Sequence, residues 1–257
     1  MSPSPHVRLE RRGRIGWITI DRPEKANAVT TSMAVELHRL CAEADHDPEL
    51  RVVVLAAAGD TFSAGSDISS LEEYDSPWAF RSRLDYCDAI LNLRKPAIAA
   101  VNGAAFGGGL EMAISCDIRI AASTARFAAP EVSLGWIGGG GASQLLPRIC
   151  GHGDAARILL TGEPVDAETA LRIGLVQAVV EPQELIEETA SLAERIAANA
   201  PIATQAAKAA ARAALSVPLT DGMRYEEELV AVCMGSADRA EGIDAFFAKR
   251  PPRFQGV

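Results

Sequence analysis

The chain has 257 residues and is 48% hydrophobic, so it can bury a full core as one large domain, or as one domain with a helical appendage. Its formal charge of -9 and the absence of any Lys/Arg run longer than two argue against general binding to nucleic acid or an anionic membrane. Such phosphate surfaces require a concentrated basic patch.

The cysteines and the start of the chain indicate a reducing compartment. The five cysteines are odd in number and widely spaced, with no C-x-x-C pair, which is typical of reduced, buried thiols. Residues 1–14 contain no apolar segment of the kind that signal peptides have, and no stretch of 18 uncharged apolar residues follows. We therefore expect a soluble, unprocessed, cytoplasmic protein. The cysteines are Cys41, Cys87, Cys116, Cys150 and Cys233.

The first elements alternate between strand and helix. Residues 14–20 form a short β-rich run that ends at Pro23, because proline cannot continue a strand ladder. Apolar residues recur at helical spacing over 29–44, with cap residues at 30–32, which predicts an amphipathic helix. The continuous apolar run at 51–58 predicts a buried strand.

The alternation continues with a helix over about 77–93 and a buried strand at 97–101. A glycine loop at 107–109 then leads into a helix, and a further strand follows at 118–120. Strands separated by helices favour parallel pairing in an α/β architecture.

The second half of the chain is predicted to be mostly helical. After about residue 140, residues 176–180 form the one convincing strand. From about Pro201 onward the chain is alanine-rich and helical, with interruptions at Pro218 and Gly235. This segment has too little side-chain bulk for its own core, so we expect it to pack on the main body or on a neighbouring subunit.

Three loop segments carry the candidate chemistry: residues 62–67, residues 107–111, and residues 130–131 together with the glycines at 138–141. Glycine lets a backbone approach a substrate closely, and a helix N-terminus adds a favourable dipole. Two glutamates lie in these loops, so the set predicts chemistry on a polarised carbonyl. Each piece alone has a simpler interpretation: a glycine triplet can serve close packing or a nucleotide loop, and Glu111 suits any first helical turn.

In order and spacing these segments resemble the crotonase (enoyl-CoA hydratase/isomerase) family over nearly the whole chain. The matching segments are 21–28 (DRPEKANA), 62–68 (FSAGSDI), 102–111 (NGAAFGGGLE), 129–131 (APE), 160–164 (LTGEP), 174–176 (GLV) and 241–246 (EGIDAF). The resemblance implies an α/β spiral of repeated ββα units with a C-terminal α-helical trimerisation region. It places the spiral core at 1–198 and the helices for oligomerisation and CoA closure at 199–257, in a homotrimer or a dimer of trimers.

The family pattern also implies roles for four residues. Ser66 and Gly108 match the two positions whose backbone N–H groups form the family's oxyanion hole. Glu111 and Glu131 match the two carboxylates of the hydratases, which hold a water and add it syn across an α,β-unsaturated acyl-CoA. In that scheme Glu111 activates the water and Glu131 protonates the α-carbon, although two close carboxylates titrate as a coupled pair.

The remaining implied positions bind the substrate, an acyl-CoA thioester, and no separate cofactor is expected. Lys25 and Ala26 match the border of the nucleotide. Ala64, Asp67 and Ile68 match positions that receive the adenine. Trp136 and Gly139 match positions around the acyl group. Phe246 and Lys249 match C-terminal positions that close over CoA, often from a neighbouring subunit. The alternative for Lys25 and Lys249 is that they are solvated surface lysines. Tyr74, Trp78 and Tyr86 are expected either to border the acyl chain or to serve packing.

Several residues depart from the family pattern. Gly138 stands where proline is usual, and Ser66 stands where hydratases often have alanine, although only its N–H is needed. Ala142, Ser143 and Leu145 replace the common glycine, threonine and arginine. These changes bear on acyl preference more than on reaction class.

Other functions stay open at this point. An enoyl-CoA isomerase, or another crotonase-type lyase or hydrolase, is the alternative enzyme. A non-catalytic acyl-CoA-binding or RNA-binding family member is the alternative from another class, and the charge of -9 argues against RNA. The four histidines form no H-E-x-x-H motif, so no metal is expected.

Overall fold

The structure is a computed structural model, and it describes residues 4–71 and 73–257. The strands within these residues are β1 (Val7–Arg12), β2 (Ile15–Ile20), β3 (Val52–Ala57), β4 (Thr61–Ser63), β5 (Ala97–Val101), β6 (Ala104–Phe106), β7 (Ile118–Ala122), β8 (Arg126–Ala128), β9 (Val165–Asp166) and β10 (Ala178–Val180). The α-helices are α1 (Thr31–His46), α2 (Ile68–Leu71), α3 (Pro77–Arg81), α4 (Tyr86–Leu91), α5 (Gly108–Ser115), α6 (Ala142–Thr161), α7 (Ala167–Arg172), α8 (Leu185–Ala197), α9 (Pro201–Ala213), α10 (Leu219–Met234) and α11 (Ala237–Ala248). Short 3₁₀ helices lie at Pro23–Lys25, Pro130–Leu134 and Pro182–Glu184.

The larger sheet has the strand order β1-β2-β3-β5-β7-β10. Only the β1–β2 pair is antiparallel, and the other neighbours are parallel, which confirms the predicted pairing. Alternate side chains of β3 face opposite layers: Val53 and Leu55 pack on the side of α1, whereas Val52 and Val54 pack on the side of α8. A strand covered on both faces must be apolar throughout, which explains its sequence.

A smaller sheet with the order β4-β6-β8-β9 positions the site. Strands β4, β6 and β8 are mutually parallel, and each directly follows a strand of the larger sheet. Because the carboxyl ends of parallel strands meet at one edge, the loops after β4, β6 and β8 are brought together there. These loops are the three segments that the sequence analysis selected.

Two expectations about elements need correction. The helix predicted over 77–93 is two helices, α3 and α4, because Ser82 closes the first and the Asp85 side chain caps the second by accepting from the Cys87 amide at 2.9 Å. The later strand is shorter than predicted, covering Ala178–Val180. The sequence analysis also missed β1 and the three-residue strands of the smaller sheet.

The C-terminal helices end and begin where predicted, with breaks at Pro218 and Gly235. Helix α9 is attached to the body through Asp117, which binds Lys208 at 2.7 Å and Arg212 at 2.9 Å. The division at residue 198 stays a prediction. Among the helices described, none has the length and apolar character that crossing a membrane requires.

Candidate active site

A pocket of about 500 Å³ opens at the carboxyl ends of β4, β6 and β8. Ten of the predicted site residues line it: Lys25, Ala64, Ser66, Asp67, Ile68, Gly108, Glu111, Glu131, Trp136 and Gly139. Ala26, Phe246 and Lys249 are not in its lining. The single chain therefore brings together all four residues to which chemical roles were given.

The loops after β4 and β6 are in direct contact because both contain glycine where they meet. A methyl group on Gly65, whose φ is +95°, would lie 2.7 Å from the Gly108 nitrogen. A methyl group on Gly109 would lie 2.1 Å from the Ser63 carbonyl oxygen. Any side chain at either position would force the two loops apart.

The backbone amides of Ser66 and Gly108 are the candidate oxyanion donors. Within residues 4–71 and 73–257, neither amide donates to a protein acceptor. The amide of Gly108 begins α5, so the helix dipole supports an anion there. Ser66 is held in place by its neighbours, since the Val29 amide donates to the Gly65 carbonyl and the Asp67 amide to the Val29 carbonyl, both at 2.8 Å.

Glu111 is buried in the first turn of α5, with its carboxylate enclosed by the glycine segment 138–141. Its Oε1 accepts from the amides of Gly140 at 2.9 Å and Ala142 at 3.0 Å. A methyl group added to Gly138 would lie 2.5 Å from Oε1, and one added to Gly140 would lie 2.8 Å from Oε2. The glycines thus let the backbone itself orient the carboxylate.

Glu131 enters the pocket from the 3₁₀ helix Pro130–Leu134, which follows β8. It is only 8% exposed, and its Oε2 is buried without a hydrogen-bond partner among the described residues. Its Oε1 lies against Gly107, where an added methyl group would be 3.0 Å away. An acceptor in this state is available for a water or a substrate atom.

Both carboxyl groups hold protons more tightly than usual. Burial raises the pKa of Glu111 from 4.5 to about 7, with a smaller contribution from the negative charge of Glu131, against the two backbone amides that lower it. Burial also raises the pKa of Glu131. Glu111 can therefore exchange a proton with a reactant near neutral pH.

Two cationic residues of the pocket lining, Arg22 and Lys25, come from the segment between β2 and α1. Lys25 is exposed there, and Arg22 binds the Asp67 carboxylate at 2.6 Å and the Ala28 carbonyl at 3.0 Å. Ala26 lies outside the lining, but its carbonyl accepts from the Ala64 amide at 2.9 Å and so supports the loop. The sequence analysis missed Arg22, although it stands within the matching segment 21–28.

A second group of lining residues is apolar apart from one charged pair. Trp136 and Ile137 are 44% and 71% exposed and line the pocket with Phe80. Arg83 and Asp85 also line it, and no local pattern in the sequence marked them.

The three aromatic residues of the segment after α2 have different positions. Tyr86 lines the pocket, and its hydroxyl lies 2.9 Å from the Ser66 hydroxyl. Tyr74 packs edge to face against Phe80, with ring centres 5.5 Å apart. Trp78 is 72% exposed and lies outside the lining, so of the three only Tyr86 borders the pocket.

Phe246 is 78% exposed on α11, and Lys249 is exposed at its C-cap. Their predicted contact with CoA stays a prediction. In the part of the chain that the structure describes, no group of three or more His, Cys, Asp or Glu residues could hold a metal ion.

Comparison with known proteins agrees with this geometry. The family model described as "Enoyl-CoA hydratase/isomerase" matches residues 10–257. The chain is 39% identical to the short-chain-enoyl-CoA hydratase of Clostridium acetobutylicum, covering 95% of each protein. It is also 39% identical to the (E)-benzylidenesuccinyl-CoA hydratase of Thauera aromatica, covering 98% of this chain and 99% of that one.

The structure is similar to a crystal structure of an enoyl-CoA hydratase subunit from Geobacillus kaustophilus. The TM-score is 0.94 at 37% identity, with 100% of both chains covered. The predicted fold class, a crotonase-like α/β spiral with C-terminal helices, is therefore confirmed. On sequence and structure together, the chain belongs to the enoyl-CoA hydratase/isomerase family.

Proposed function

We propose that the protein is an enoyl-CoA hydratase, which adds water to a 2-trans-enoyl-CoA to give a 3-hydroxyacyl-CoA. The observation that carries the proposal is the presence of two buried carboxylates, Glu111 and Glu131, in one pocket with two backbone amides that have no acceptor within residues 4–71 and 73–257. A hydratase needs two carboxyl groups around one water, whereas an isomerase moves a single proton. The hydratases to which the chain is similar support the same reaction.

In the proposed reaction the amides of Ser66 and Gly108 donate to the thioester oxygen. Attack at the β-carbon shifts negative charge onto this oxygen, so donors fixed beforehand stabilise the transition state more than the substrate. Loss of one such donor typically costs about 3–4 kcal/mol of barrier.

The two glutamates handle the protons. Glu111 accepts a proton from the water while the water oxygen bonds to the β-carbon. Glu131 gives a proton to the α-carbon of the enolate. The two transfers together add OH to the β-carbon and H to the α-carbon, and carboxyl groups on the same side of the substrate plane make the addition syn. Transfer of the proton from Glu111 to Glu131 then restores both groups for the next turnover. The reaction uses no redox step, so it requires no cofactor besides the CoA of the substrate.

The part of the pocket lining that contains Lys25 is the proposed CoA side. Lys25 carries charge suited to the phosphates of CoA, whereas Arg22 is paired with Asp67, and Ala64 and Ile68 border the adenine. We propose that Phe246 and Lys249 close over CoA from a neighbouring subunit of a trimer or a dimer of trimers. All five cysteines are free, which supports the proposed cytoplasmic location.

The test is an assay with crotonyl-CoA, in which hydration removes the absorbance of the conjugated thioester. We expect rapid loss of absorbance and formation of 3-hydroxybutyryl-CoA, identified by mass spectrometry. A 3-enoyl-CoA of the same length tests for isomerisation, which would instead create absorbance. An enzyme that leaves 2-enoyl-CoA thioesters of several lengths unchanged is not a hydratase.

A further inference from the structure

Arg83 brings a guanidinium group to the apolar part of the pocket lining. Its side chain is 20% exposed, and it lines the same cavity as Phe80, Trp136 and Ile137. The carbon of the guanidinium lies 4.3 Å from the centre of the Phe80 ring, and Phe80 is itself packed against Tyr74. The cation is therefore stacked on a supported aromatic surface, which restricts its motion.

The opposite wall leaves room for this group. A methyl group on Gly139 would lie 2.5 Å from Nη2 of Arg83, so the guanidinium occupies space that any other residue at 139 would fill. The flanking glycines, Gly138 and Gly140, are the ones that enclose the Glu111 carboxylate. The Glu111 carboxylate and the Arg83 guanidinium therefore lie against neighbouring residues of one glycine segment, and both line the same pocket.

The guanidinium keeps hydrogen-bonding capacity. Arginine has five N–H donors. Within the described residues, Arg83 donates to the Asp85 carboxylate at 2.5 Å and to the Phe80 carbonyl at 3.3 Å. Three donors, including the one on Nε, have no protein acceptor there, and a purely hydrocarbon chain would desolvate them without compensation.

The charges around Arg83 favour a neutral acceptor over an anion. Asp85 already compensates the positive charge, and its own side chain is 12% exposed. The pocket lining has four acidic groups and three cations, which are Asp67, Asp85, Glu111, Glu131, Arg22, Lys25 and Arg83. Because Arg83 is already paired with Asp85, a further carboxylate meets no uncompensated positive charge there and is repelled by the aspartate. A keto or ester oxygen can accept the free N–H groups without this repulsion.

We propose that Arg83 selects enoyl-CoA substrates whose acyl chain carries a neutral oxygen acceptor, such as a ketone, towards its far end. Arg83 is then a specificity-determining residue, with Gly139 providing its space and Phe80 and Asp85 fixing its orientation. The inference rests on the proposed hydratase function and names its substrate class.

The test compares kcat/KM for three thioesters of equal length: trans-2-octenoyl-CoA, its 7-oxo analogue and trans-2-octenedioyl-CoA. A second series of the same three substrate types has acyl chains two carbons shorter. It tests a second distance between the double bond and the oxygen that Arg83 would bind. We expect kcat/KM for the 7-oxo substrate to be about tenfold higher than for trans-2-octenoyl-CoA, because a hydrogen bond to a charged donor contributes about that factor. The carboxylate should give no such gain.

Variants assign the effect to the guanidinium. Arg83→Met removes the donors and should abolish the tenfold preference, so that kcat/KM for the keto substrate falls to the value for trans-2-octenoyl-CoA in the same variant. Gly139→Ala should reduce the preference in the same way, because its methyl group displaces Nη2. Arg81→Met, a change two residues away at an arginine outside the pocket lining, is the matched control and should keep the preference.

Three results would overturn the proposal: equal kcat/KM for the keto and methyl substrates, a preference that survives in Arg83→Met, or a stronger preference for the carboxylate, which would indicate an anion site. In each case hydration of trans-2-octenoyl-CoA would still support the proposed function. Failure of all three substrates would instead contradict the proposed function itself.

Discussion

Burial of Glu111 serves the proposed chemistry and opposes stability. The carboxylate oxygen that accepts from Gly140 and Ala142 is held in one orientation, and burial keeps its pKa at about 7. Near neutral pH the group can therefore either accept or release a proton. A surface glutamate would be ionised and mobile under the same conditions.

Glu111→Gln and Glu131→Gln should each lower kcat by about 100-fold or more, with little change in KM, because a glutamine cannot transfer the proton. Steady-state kinetics with crotonyl-CoA measure both parameters. Glu188→Gln, on the exposed face of α8, is the control. A near-normal kcat in either pocket variant would remove that glutamate from the mechanism.

Glu111→Gln should also change how stability depends on pH. The folded-state pKa of about 7 is above the ordinary 4.5, so the folded wild type binds the extra proton and loses stability as pH rises from about 4.5 to 7. Above pH 7 the free energy of unfolding has fallen by about 3 kcal/mol, because each unit of difference between the folded and unfolded pKa corresponds to about 1.36 kcal/mol. Glutamine has no proton to lose, yet its carbonyl can still accept from both amides.

Urea denaturation of the wild type and Glu111→Gln at pH 4.5 and pH 8 measures this difference. We expect similar free energies of unfolding at the lower pH and a more stable variant at the higher pH. A constant difference between the two proteins at both values would mean that Glu111 keeps an ordinary pKa in the folded state.

The sequence identified some site residues and missed others for a physical reason. Ser66, Gly108 and Glu111 stand in or beside glycine-rich turns, where the backbone requirement leaves a trace in the sequence. Arg83 has no such trace. It reaches the pocket because Gly139, far away in the chain, leaves space for it, and only the folded structure brings the two together.

Among the elements, the glycine segment 138–141 has the most specific task, since it encloses the Glu111 carboxylate. Gly138→Ala places a methyl group 2.5 Å from Oε1, so either the carboxylate or the segment must move. A misplacement of this size should lower kcat by roughly 10- to 100-fold while the fold is kept, since φ at Gly138 is not in the left-handed region.

Steady-state kinetics and thermal unfolding check this prediction. Gly153→Ala is the matched control, because an added methyl group there meets nothing within 4 Å. Wild-type activity in Gly138→Ala would show that the carboxylate tolerates the displacement and that the glycine serves another purpose.

The long elements were predictable and the short ones were not. Helix α1 and strand β3 have apolar patterns long enough to be recognised, and proline or glycine marks the ends of the C-terminal helices. The strands of the smaller sheet have two or three residues each, so no periodicity can develop. They form because the larger sheet and its helices hold them side by side.

For the whole molecule, the C-terminal helices leave an unusually apolar surface. Val232 on α10 is 59% exposed, and Phe246 and Phe247 on α11 are 78% and 77% exposed. Single exposed apolar residues are normal, but several on adjacent helices indicate an interface. We expect the protein to have three or six times the chain mass by light scattering after gel filtration.

Phe247→Glu tests the interface, because a carboxylate at this position would be buried without a partner in the assembly. We expect this variant to lose the trimer mass while circular dichroism remains that of the wild type. A trimer that persists in Phe247→Glu would place the interface elsewhere.

Lys249 connects this assembly to substrate binding. The residue is exposed at the C-cap of α11 and lies outside the pocket lining of its own chain, which supports the proposed contact with CoA bound to a second subunit. Lys249→Met should raise KM for crotonyl-CoA by about tenfold through loss of a charge-assisted bond to a phosphate, with kcat retained. It should leave KM for crotonyl-pantetheine unchanged, because this shorter thioester lacks the nucleotide phosphates.

Arg224→Met on α10 is the control, since this exposed arginine forms a long pair with Asp221 at 3.7 Å. If the interface supplies Lys249, the monomeric Phe247→Glu variant should bind crotonyl-CoA as weakly as Lys249→Met does, and combining the two changes should weaken binding no further. Additive effects would mean that Lys249 acts within its own chain, and the proposed closure by a neighbouring subunit would be wrong.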